Sequence, residues 1–191
     1  MDGCIKFEER GRPSKVLSRT NQHIRATNVS ALLFRYGLDE LRRAYEAARE
    51  APDRDRKRLE KDWGLLEVEV AAGRASFVET SDSGGVVYDR GEHAGETAAE
   101  IEGVLRIVRE AFTIALFHFW ERELNARMKV PRHKDDEAFA FLKSRGITPD
   151  ESTLIQLHFA ANVAKHGEGP SAERLCELRP NFFLTWNTRA S

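Results

Sequence analysis

Ten consecutive residues without a formal charge, AFTIALFHFW at 111–120, constrain this chain more than any other stretch. They are too few to cross a bilayer, and Glu110 and Glu121 bound them. Around them Ile101, Val104, Leu105, Val108, Phe112, Ala115 and Phe119 recur with helical spacing. A helix that is apolar nearly all round has to be covered on all sides. The expectation is an all-α fold: a helical bundle around a long central buried helix at about 97–129. Thr97 and Glu100 have the spacing of a capping box at its start, and Pro131 ends it.

The flanking segments supply helices to cover it. Leu32, Leu33, Tyr36, Leu41, Tyr45 and Ala48 predict a helix over 29–50 that stops before Pro52. Leu59, Trp63, Leu66 and Val70 predict a second over 54–72, and the short turn between them predicts an antiparallel hairpin of helices. Residues 73–95 break the pattern. The turn-rich SDSGG between ASFVET and VVYDR fits a small β-hairpin at 75–90 or an irregular loop. After Pro131, Asp135 or Asp136 can cap a short helix at 136–145 that ends at Gly146. Thr148-Pro149-Asp150-Glu151 reads as a helix start with Thr148 as cap, and Ser171 can cap a last helix at 172–178 before the aromatic NFFLTW. Residues 1–27 are polar and read as a loosely ordered arm, or as a basic arm that touches RNA or an acidic partner. The remainder, 28–191, is long enough to form one helical-bundle domain.

Composition narrows the function classes. A net charge of −1 excludes a strong global pull on nucleic acid, although Arg122, Arg127, Lys129, Arg132, His133 and Lys134 form a local basic stretch. Two cysteines, Cys4 and Cys176, make neither a disulfide framework nor a zinc pattern. With no apolar run of spanning length and no apolar leader core in residues 1–25, a cytoplasmic protein that does not enter membranes is expected. Glycine-rich phosphate loops and nucleophile elbows do not occur.

Candidate chemistry concentrates in TLIQLHFAANVAKHGEG, 153–169. On a helix that advances about 100° per residue, His158, Asn162 and Lys165 fall on one side, with His166 beside them. Two histidines, an amide and a cation suit acid–base work on a phosphodiester, with no cofactor. A polar seam of this kind also forms where a helix meets a partner or buried water. His158 and His166 stand roughly 12 Å apart along the helix, too far to share a metal ion. His118 and Glu121, inside and at the edge of the charge-free stretch, are supporting candidates, and can also serve a small-molecule site of their own.

Asn162-Val-Ala-Lys-His166-Gly, ending a late helix that follows a long apolar one with Trp120-Glu121, resembles the HEPN superfamily over roughly 97–183. The resemblance implies a small helical bundle, a homodimer, and a metal-independent RNase of bacterial defence or toxin–antitoxin systems. It assigns acid–base work to His166 and phosphate contacts to Asn162. The family's Arg, which precedes the Asn, is replaced by Ala161 here, leaving Lys165 as the nearby cation. A helical module that pairs with itself or with another protein, without catalysis, is the alternative.

Overall fold

The computed structural model describes residues 16–182. The first part of the expected arm and the aromatic residues from 183 onward lie outside them. The chain divides between Leu38 and Asp39 into two units, and the helices and hairpin that position the site belong to the second. The fold is all-α with one small hairpin. In chain order it has α1 (Val16–Ala71), β1 (Val78–Thr80), β2 (Val86–Asp89), α2 (Arg90–Met128), α3 (Asp135–Ser144), α4 (Glu151–His166) and α5 (Pro170–Leu178).

The predicted pair of helices at 29–50 and 54–72 is one helix, with Pro52 inside α1 and buried. Proline removes one backbone donor and disfavours helix before it, which is why the sequence suggested a break. Side chains bridge the missing bond. Asp53 accepts from Arg49 and Arg56, each at 3.1 Å, and Arg54 approaches Glu50 at 3.8 Å. Ala47, Ala48 and Ala51 add strong helix propensity on the N-terminal side.

The hairpin forms where the turn-rich pentapeptide predicted it. β1 and β2 pair antiparallel, Val78 opposite Asp89 and Thr80 opposite Val86. Gly84 at φ 83° supplies the left-handed turn residue, and Ser81 N–H donates to the Gly85 carbonyl at 2.8 Å. β2 runs directly into α2, which begins earlier than Thr97. Its cap is Asp89, whose carboxylate accepts from the amides of Gly91 at 2.7 Å and Glu92 at 3.1 Å. Thr97 is already inside the helix, and its hydroxyl donates back to the His93 carbonyl.

Burial along α2 is incomplete, against the expectation of cover all round. Within 111–120 only Phe117 and Phe119 are buried, while Ala111 and His118 are exposed. α1 meets α2 through Tyr45, edge-on to Phe112 at 5.4 Å, and α4 meets it at Phe117. The main core sits at the far end of α2. There Leu124, Ala138, Phe139 and Leu142 are buried together, with Trp120, Leu154 and Ile155 packed around them.

That core fixes α3 and α4. α3 ends in a Gly146 cap at φ 75°, with Ile147 N–H donating to the Leu142 carbonyl. Lys143 and Glu151 tie α3 to α4 at 2.6 Å. α4 starts two residues later than expected because Asp150, not Thr148, is the cap. It accepts from the Thr153 amide at 3.1 Å and the Thr153 hydroxyl at 2.7 Å. Gly167 terminates α4 at φ 73°. α5 follows from Pro170, so Ser171 lies in its first turn and does not cap it.

Candidate functional site

α4 presents the predicted seam, and the structure adds what it faces. His158 is half-buried, its side chain 33% exposed. Its ring stacks on Phe117 of α2 at 4.9 Å and 15° between planes. Its Nδ1 lies 2.9 Å from the Asp135 carboxylate at the start of α3. An ionised carboxylate only accepts, so Nδ1 is the donor to Asp135, and in the neutral ring the lone pair lies on Nε2. The stack and the carboxylate together hold the ring in one orientation. This His–Asp arrangement is the one that fixes a general base elsewhere in acid–base chemistry.

Lys165 comes back to the same aromatic ring. Its Nζ sits 5.9 Å from the centre of Phe117, so His158 and Lys165 both bear on one side chain although seven positions separate them. Asn162 lies between them, half-buried, and its Nδ2 makes a long 3.5 Å contact to Ser171 Oγ. His166, the last residue of α4, is exposed and makes no hydrogen bond or ion pair among the described residues. His158, Asn162 and Lys165 thus form one surface, with His166 at its open end.

His118 and Glu121 stand apart from this. They pair with each other, His118 Nδ1 to Glu121 Oε2 at 3.2 Å, and the His118 side chain is 53% exposed. His118 touches the site only through its neighbour Phe117, with ring centres 6.1 Å apart. The expectation of a histidine within a buried stretch is corrected: no described element covers that face of α2, so the ring points to solvent. Ala161, at the position where an arginine would complete the motif, is fully buried. A guanidinium there would enter packed interior, so the absence of arginine follows from how α4 is seated.

The electrostatics around the seam are mixed. Arg127 pairs with Glu123 at 2.8 Å, which takes one cation out of the basic stretch. Lys129, Arg132 and Lys134 are exposed, and Lys134 immediately precedes Asp135. His133 is tied to Asn125, Nδ1 to Oδ1 at 2.7 Å. Among the described residues no three His, Cys, Asp or Glu side chains converge as a metal site, and no helix is long and apolar enough to cross a membrane.

No family model, curated protein or solved structure matches the chain. The site therefore rests on its own geometry. That geometry includes Asp135 and Phe117, which sequence reasoning missed. Asp135 reads as one of two helix caps in the sequence. In the structure it is the first residue of α3, with Lys134 at the cap position and the Lys134 amide donating to Glu137. Relieved of capping, the Asp135 carboxylate crosses to His158, a pairing over 23 residues that no local pattern announces.

Proposed function

We propose that this chain is an HEPN-like helical-bundle protein acting in the cytoplasm as a metal-independent endoribonuclease of a defence or toxin–antitoxin system. The observation that carries this reading is the His158–Asp135 pair, with the His158 ring and the Lys165 ammonium both against Phe117. His158 Nε2 takes the proton of a ribose 2′-hydroxyl as its oxygen bonds to phosphorus. The bond from phosphorus to O5′ breaks, and His166 of the second copy, since the one on the same helix stands about 12 Å from His158, returns a proton to O5′. Lys165 and the Asn162 amide hold the phosphate oxygens as negative charge gathers on them. Lysine acts there as a point charge and not as a bidentate fork. Lys129, Arg132 and Lys134 supply the attraction for the RNA backbone that the net charge does not. Two copies pairing as a homodimer line the RNA cleft.

The test is incubation of structured RNA with purified protein and a chelator. Wild type cuts, and His158→Ala and His166→Ala each lose about 100-fold or more in rate, the usual scale of a general acid or base. Equal cleavage by all three, or by none, overturns the reading.

A second reading has its own observation. Val104 and Ile107, one turn apart on α2, are 49% and 60% exposed. An apolar helix face left open suits a non-catalytic module that docks a second copy or another protein. In that case Ile107→Glu abolishes concentration-dependent sedimentation, while His158→Ala leaves RNA untouched as wild type does. Sedimentation unchanged by dilution in wild type removes self-pairing from both readings.

A further inference from the structure

We propose a second site, a cleft between α1, the hairpin and the start of α2 that binds a small zwitterion with an apolar arm: an α-amino acid with an aromatic or large aliphatic side chain. The cleft has a volume of about 460 Å³, within the range of small-molecule sites. It is separate from the α4 seam. Ile101 in its floor and Phe117 at the seam are about 24 Å apart along α2 at the helical rise per residue.

Leu59, Leu66 and Ile101 make the floor apolar. Trp63 and Tyr88 give it aromatic walls that are already held in place. The Trp63 indole stacks on Phe77 at 5.3 Å and donates its N–H to Glu67 at 2.7 Å, and the Tyr88 ring leans on His93 at 5.7 Å. Walls fixed before a ligand arrives lose little freedom on binding.

The charges on the rim select the ligand. Asp55, Arg58 and Asp62 of α1 line the cleft at spacings of three and four residues, the spacings at which helix ion pairs close. Their neighbours on α1 do close: Arg49 and Arg56 on Asp53. Asp55, Arg58 and Asp62 do not, and make no hydrogen bond or ion pair among the described residues. The other cation of the lining, Arg90, is bound to Glu79. The cleft therefore offers one unclaimed guanidinium between two unclaimed carboxylates, above an apolar floor. A carboxylate fits Arg58, an ammonium fits Asp62 or Asp55, and an apolar arm fills the floor against Trp63. A plain amine leaves Arg58 unused, and a plain acid meets two carboxylates.

Titration calorimetry of the full chain with three probes tests this: L-phenylalanine, phenethylamine, which lacks the carboxylate, and 3-phenylpropionate, which lacks the ammonium. L-Phenylalanine binds with one-to-one saturation, and each analogue binds at least about tenfold more weakly, the scale of one lost charge-assisted hydrogen bond. Arg58→Gln and the double variant Asp55→Asn with Asp62→Asn each weaken L-phenylalanine by about tenfold or more while the helical circular dichroism is unchanged. No saturable heat with any probe overturns the proposal. So does phenethylamine binding as tightly as L-phenylalanine, or Arg58→Gln binding as wild type does. RNA cleavage does not enter the experiment, so its outcome is independent of the role of α4.

Discussion

At the scale of single residues, two positions decide what α4 can be. Ala161 is the first. Its methyl is fully buried, so a larger, charged side chain finds neither space nor a counter-charge there. Ala161→Arg lowers stability by about 3 kcal/mol or more and does not raise activity. A melting curve unchanged by the substitution contradicts this placement. Asp150 is the second. The Thr153 hydroxyl, and then the Thr153 amide, hold its carboxyl below the ordinary carboxylate range. A carboxyl depressed by folding stabilises the fold above its unfolded value, and that stability is lost as pH falls through the folded value. In acid titration followed by hydrogen exchange at the Thr153 amide, the first turn of α4 opens as Asp150 takes its proton. Asp150→Asn, which caps without titrating, removes that pH dependence, and identical acid profiles for the two proteins contradict it. Both positions show what the sequence could reveal at this scale. The seam residues His158, Asn162 and Lys165 were legible because helical periodicity places them on one side. Asp135 was not, because its role depends on which residue of Lys134–Asp136 occupies the cap.

At the scale of elements, the short helices and the hairpin followed from punctuation residues. Gly146, Gly167 and the SDSGG turn end or join elements where backbone conformation demands it. Boundaries failed where two signals competed. Asp89 outbid Thr97 as the cap of α2 because β2 delivers the chain there directly. Pro52 failed as a breaker because the Arg49–Asp53 and Glu50–Arg54 pairs span it and alanines precede it. This account of α1 makes a prediction. Pro52→Ala restores the missing donor and removes a ring clash, and it raises stability by about 1–3 kcal/mol, less whatever the buried ring contributed. Denaturant unfolding measures it. A destabilised variant would mean that burial of the proline ring, and not helix continuity, is what the position supplies.

At the scale of the whole molecule, the all-α bundle was legible in the sequence, whereas the cover of its central helix was not. A charge-free run shows that α2 has to meet apolar neighbours, but not how many of its sides this chain covers itself. The core lies at one end, around Leu124 and Phe139, and Val104 and Ile107 remain open. The proposed activity sits beside that core, where α2, α3 and α4 each contribute one group: Phe117, Asp135 and His158. Its central claim is a metal-free attack by a ribose 2′-hydroxyl that His158 sets up. Mass spectrometry of the ends of RNA cut in the presence of a chelator tests this most directly. The account predicts 2′,3′-cyclic phosphate and 5′-hydroxyl ends from wild type, and none from His158→Ala or from RNA with a 2′-deoxy residue at the cut site. Intact RNA after incubation with wild type, or ends carrying a 5′-phosphate, would contradict it.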